Sequence, residues 1–398
     1  MSRTYLAKPL RVRKHVASIL GFIVWCVVMN NSALANGSLR GSQSQTDKIF
    51  GLSHMLNSLV DEPKLFAKTP AQWSHPLIDS DGSIVYVALS HQTLAAVRLE
   101  NGEILWKLDK LGTLGRAMFQ WRGELFVGVN QSLVVFDRFT GKEKAKISLG
   151  ATVSGAPELV AGRLIVPIRP NAYAAIEIES KKIAWQVSRP QPKGITIFGQ
   201  ASPTYDPKNQ QLILGFSDGV VMAVKADSGD INWKRELASS QQPFRDIDSK
   251  PLLSADQRTV MVACYATGVF GLDLETGKKA WHNPAFKKIN TWIGLRDNQR
   301  IIAVDGNGRT FGFSPQNSKE AWIYKSRAGV GTAITPIGER WIGVSVSRGA
   351  SALLDQETGR PLQVFHPGSG VRAPMAYFAP NLSMLTNRGT VLLYTLGQ

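Results

Sequence analysis

The chain reads as an all-β protein: an eight-bladed β-propeller of four-stranded antiparallel blades, its ring closed by a strand from the N-terminal side. Three observations predict this. An eleven-residue signature recurs, as in "AVRLENGEILW" (96–106), "AVKADSGDINW" (223–233) and "GLDLETGKKAW" (271–281). The copies fall at a period near 40 residues, which is the spacing of propeller blades. Between copies lie short runs of alternating apolar residues broken by turn residues, the pattern of short strands.

Residues 1–35 come first and predict a cleaved export signal. Five of the 46 basic residues and none of the 30 acids lie there. "VASILGFIVWCVVM" (16–29) follows the basic run, and "NSALA" (31–35) ends in a small-x-small cleavage pattern. The apolar stretch is shorter than the ~20 residues needed to span a bilayer as a helix. A lipoprotein signal requires a small residue before its cysteine, and Cys26 follows Trp25, so no lipidation is expected. Removing the signal leaves Cys264 alone, which excludes an intramolecular disulfide or a cysteine-based zinc site. The remaining chain is still basic. That favours anionic surfaces, but export makes nucleic acid an unsuitable partner.

Residues 36–64 are expected to be a polar linker, with a short helix within 51–64. The ring is then expected over 65–398. Aligned on the turn, the signature column reads Trp106, Ala145, Trp185, Trp233, Trp281, Trp322 and Gln363, at intervals of 39, 40, 48, 48, 41 and 41 residues. A glycine four residues before most of these supplies the positive φ of a tight turn. The Trp then sits on an outer strand, where its ring buries a large area against the next blade and its N–H meets a carbonyl. The C-terminal "MLTNRGTVLLYTLGQ" (384–398) lacks a fourth strand. "AKTPAQW" (67–73) is expected to provide it, with Trp73 as the eighth position; if Trp73 belongs to the linker, the ring has seven blades.

Chemistry is sparse. The six His residues show no ligand spacing, so no metal site is expected. "DGNGRTFGF" (305–313) lacks the helix and lysine of a phosphate loop and sits at a hairpin position. Acids of the E-T-G type recur once per blade, as turn formers do, whereas a catalytic pair would be singular. No catalytic residue and no cofactor are expected.

The two 48-residue intervals mark insertions, "SRPQPKGITIFGQASP" (188–203) and "LASSQQPFRDIDSKP" (237–251). Both connect an outer strand to the next inner strand, so both emerge on one face. In extended segments, Ile195 and Ile197 share a side with Phe198 following, and Asp246 and Asp248 share a side. An apolar ledge beside two carboxylates suits protein docking. Burial of the isoleucines and local capping by the aspartates fit the pattern equally.

The Trp-bearing blades resemble quinoprotein-type (PQQ-like) repeats, and residues 65–398 resemble the BamB family. The likeness is most specific over 243–281, where an Asp-x-Asp precedes a blade of the form "GLDLETGKKAW". The resemblance implies a periplasmic, non-catalytic factor peripheral to the outer membrane, a monomer within a hetero-complex. Its implied partners are the periplasmic POTRA domains of BamA, and unfolded outer-membrane proteins as clients. It places Asp246 and Asp248 on the family's acidic pair and Ile195 and Ile197 on two apolar docking positions. Phe198 stands where the family favours Arg, and many family members carry the lipidation signal that this chain lacks. Two other functions share the fold: a periplasmic propeller for a different protein or surface polymer, and a quinone-cofactor dehydrogenase. The single mature Cys and short blades fit the dehydrogenase poorly.

Overall fold

The computed structural model describes residues 49–56, 74–89, 92–191, 200–295, 298–315 and 319–397. These form thirty-two strands in eight four-stranded antiparallel sheets, with no helix among the described residues. The first blade comprises Leu77–Ile78, Ile84–Leu89, Thr93–Arg98 and Ile104–Leu108, and six more follow in the same serial order. In each, the second and third strands are buried on both faces, as in Ile84–Leu89, because a neighbouring blade covers each side. The outer strands alternate instead: in Lys182–Ser188, Trp185 is the one buried position.

No single core fills the ring. Among the described residues, eight apolar clusters each straddle two adjacent blades. The one joining the ends packs Leu385, Val391 and Leu393 of the last blade on Val85, Val87 and Leu89 of the first. Stability is thus distributed over blade interfaces, and the recurring signature lies at each of them.

The Trp and the turn glycine of that signature do not serve one blade; they meet across two. Trp233 Nε1 donates to Leu274 O of the following blade at 2.8 Å, and its ring lies where a Cβ on Gly277 would be, 2.4 Å from Cε3. Trp106 donates to Arg138 O at 3.0 Å and covers Gly141. Trp185 donates to Ala226 O at 3.2 Å over Gly229, and Trp322 to Gln356 O at 3.2 Å over Gly359. The third-strand residue opposite each ring is small, for example Ala96 opposite Trp106, Ala223 opposite Trp233 and Gly271 opposite Trp281. Trp281 itself is half-buried against the cluster between the fifth and sixth blades. The exception supports the rule. Where the column holds Ala145, the next blade's turn holds Lys181 rather than Gly, at φ +61, and Lys181 pairs with Glu124.

The ring closes, as expected, with a strand from the N-terminal side, but the strand is not 67–73. The fourth strand of the last blade is Phe50–Leu56, antiparallel to Val391–Leu396. It is neither a linker nor part of a helix, and 67–73, including Trp73, lie outside the described residues. The eighth signature position is His54: its ring lies against Gly102, 3.2 Å from where a Cβ would stand, and Nε2 donates to Glu100 O at 3.0 Å. Gln363, at the last column position before the closing blade, holds the closing strand by its backbone. Its amide accepts from Phe50 N and donates to Phe50 O, both at 2.7 Å. Phe50 is in turn buried among Trp341, Phe365 and Tyr377. An imidazole and an amide thus stand at these two positions in place of the indole; Gln363 falls in the sequence column, whereas His54 lies outside it.

Candidate docking site

The two long connections, 189–203 and 237–251, enter consecutive blades on the face that also carries each blade's turn between second and third strands. Residues 192–199 lie outside the described residues, and with them Ile195, Ile197 and Phe198. Both ends of that segment are fixed. Arg189 donates from Nε to Asp218 at 2.7 Å, and Asn171 Nδ2 donates to Pro190 O at 3.3 Å. On the far side, the Tyr173 hydroxyl is shared between the carbonyls of Ala201 and Gly215 at 2.8 and 2.7 Å.

The second connection is stitched between two blades. Leu237 N donates to Gly219 O at 2.9 Å, Ile247 N to Phe216 O at 3.3 Å, and Tyr265 N to Asp246 O at 3.0 Å. Ile247 is fully buried, and Gly215 leaves it room: a Cβ there would lie 2.5 Å from Ile247 Cγ2.

Asp246 and Asp248 do not form a shared acidic ledge. The segment is not a strand, so alternation does not put their side chains together. Asp246 is 3% exposed. It faces Cys264 and Tyr265, whose acidities burial weakens and the Asp246 charge weakens further. Asp248 is half-buried and lines the central channel with Arg116, Lys250, Arg372 and Gln200. Its charge reaches Arg116 and the buried Tyr173, whose pKa is raised chiefly by desolvation. Trp292 Nε1 donates to Lys250 O at 2.7 Å, and Lys250 pairs with Glu158 at 2.8 Å, bracing the loop's exit on both sides.

Residues 239–244 of this loop are exposed, and the large apolar side chain among them is Phe244, 48% exposed and edge-on to Tyr265. Its φ is +52, a left-handed conformation that strains a non-glycine residue and persists where surroundings enforce it. Nothing in the sequence signals that conformation; the cue available was only an aromatic inside an insertion. Among the described residues, no three His, Cys, Asp or Glu side chains gather as a metal-binding group.

The profile of a family described as outer membrane protein assembly factor BamB matches residues 90–324, more than half of the chain. The outer membrane protein assembly factor BamB of Alteromonas naphthalenivorans is 24% identical over 324 residues, 74% of this chain and 75% of that protein. Among solved structures, BamB from Moraxella catarrhalis aligns with a TM-score of 0.68 at 17% identity, over 87% of this chain and 100% of that one. Quinohemoprotein alcohol dehydrogenase from Comamonas testosteroni aligns with a TM-score of 0.70 at 14% identity, over 88% of this chain and 77% of that one. At such identities the two structures share the ring fold alone with this chain.

Proposed function

We propose that this chain, which belongs to the outer membrane protein assembly factor BamB family, is a non-catalytic periplasmic scaffold for the assembly of outer-membrane β-barrel proteins. It docks to BamA through the rim bearing 189–203 and 237–251. The observation that carries this reading is the construction of that rim: two consecutive insertions on one face, with the second held rigidly and presenting an exposed, strained aromatic. A docking surface gains from such preorganisation, because little ordering entropy is lost on binding.

In this reading Ile195, Ile197 and Phe198 supply the apolar ledge, Phe244 adds an anchor from the second loop, and Asp248 lends negative potential from the channel wall. Asp246 acts inside the loop by holding its shape. The POTRA domains of BamA are the contacting part, and unfolded outer-membrane proteins are the clients presented from the ring. Residues 1–35 direct export, and with Cys26 following Trp25 the mature chain is held at the membrane by its partner and its basic surface rather than by a lipid.

The functional test is deletion in the source bacterium. Steady-state levels of outer-membrane barrel proteins fall and recover with the wild-type chain, whereas Phe244→Glu restores them only in part. Barrel protein levels untouched by deletion would point to a different periplasmic partner for the same rim.

A further inference from the structure

Where the first three blades meet, on the same face of the ring, lies a concavity of about 340 Å³; Arg116 and Ser154 line both it and the channel wall that carries Asp248. Arg116, on the inner strand Leu114–Trp121, and Arg169, just past Arg163–Ile168, both line it. Ser74 and Ser154 line it too. They are 7% and 3% exposed, and their Oγ atoms have no hydrogen-bond partner among the described residues. A buried hydroxyl without a partner is costly, roughly 1–3 kcal/mol, and marks a place where something else completes the bonding.

The charges point the same way. Burial disfavours the Arg116 cation, and the like charge of Arg169 disfavours it further; Asp248, on the channel side, acts in the opposite sense. Two like-charged guanidinium groups lining one concavity leave it electropositive, which favours an anion between them. Guanidinium forks match the two oxygens of a carboxylate or phosphate, and the two hydroxyls can donate to the same group. Ala88, Leu89, Leu114 and Val153 give the wall an apolar part, beside Thr113 and Thr152.

We infer that this concavity binds the oxyanion head of a small organic molecule, a carboxylate or phosphate monoester carried on a short apolar stem. Arg116 and Arg169 grip the head, Ser74 and Ser154 complete its hydrogen bonds, and the leucines and Val153 cover the stem. This goes beyond docking and stands independently of it.

Titration calorimetry of the mature chain at fixed ionic strength tests the site with hexyl phosphate, hexanoate and hexanol as probes. The expected result is stoichiometric binding of at least one anion in the sub-millimolar range, at least tenfold tighter than hexanol; the tighter anion identifies the head group. Arg169→Ala, at an exposed position, should weaken that anion at least tenfold, and Ser154→Ala should weaken it without lowering the melting temperature, since it removes an unpartnered buried hydroxyl. Arg122→Ala, an exposed arginine on the opposite face, should leave it unchanged. The inference is overturned if neither anion binds below about 10 mM, if hexanol binds as well as the anions, or if Arg169→Ala and Arg122→Ala behave alike.

Discussion

Consider Gly277→Ala. Two separate costs act there, and the structure lets each be measured. The residue sits at φ +64, where an alanine is strained by about 1–2 kcal/mol. Its new Cβ would also stand 2.4 Å from the Trp233 ring of the preceding blade, and the ring is only 6% exposed, with little freedom to retreat. Such overpacking adds about 1–3 kcal/mol, for a total near 3 kcal/mol. Gly162→Ala isolates the first cost, since Gly162 has φ +78 and open space around it; it should lose only about 1 kcal/mol. Trp233→Ala alone should lose about 3–5 kcal/mol through the lost ring and its bond to Leu274. In that background Gly277→Ala should drop to the cost of Gly162→Ala, a coupling of about 2 kcal/mol. Urea unfolding of the four variants and wild type, with slopes checked for constancy, gives the cycle. Additive losses, or a Gly277→Ala cost equal to that of Gly162→Ala in the wild-type background, would refute the view that the signature works across blades.

Other predictions address closure, acid sensitivity and the rim. Gln363→Leu strands the buried N–H and C=O of Phe50 and should cost about 2–4 kcal/mol, with hydrogen exchange rising first in Phe50–Leu56; unchanged exchange there would remove the latch from the account. His75 has its pKa lowered to about 4, first by burial and then by the Arg116 charge. The unfolded chain therefore takes up the proton first: the contribution of His75 is complete above about pH 6.5 and is lost as pH falls toward 4, by at most about 3 kcal/mol. Stability of His75→Gln, followed by thermal melts across that window, should fall less steeply than wild type. Asp246→Lys places a charge in a buried position and should lower stability by several kcal/mol, whereas Phe244→Glu, at an exposed site, should change it by less than about 1 kcal/mol. Equal melting temperatures for the two variants would contradict the burial described for Asp246.

Much of the ring was legible because its determinants repeat. A Trp column at intervals near 40 residues gave the blades, and turn glycines gave the hairpins. The eighth blade was legible as a need for one more strand, but not as Phe50–Leu56. His54 and Gln363 perform the indole's task with different atoms, and a polar, Ser-rich context hid a strand whose burial comes from the neighbouring blade rather than from its own pattern. The insertions were legible from length alone. The orientation of Asp246 and Asp248 was not, since alternation holds for strands and the segment is a loop set by Ile247 against Gly215. Phe244's outward position depends on a left-handed backbone that composition does not encode. Ser154 and Arg169 meet within the third blade, and Ser74 and Arg116 join them only through the order of the blades.

Calorimetric titration of the mature chain with the periplasmic domains of BamA, using wild type and Phe244→Glu, decides whether this rim docks. The prediction is micromolar or tighter binding, weakened by more than tenfold, about 1.4 kcal/mol, in the variant while its melting temperature holds. Absence of binding, or equal affinity for both proteins, would contradict it.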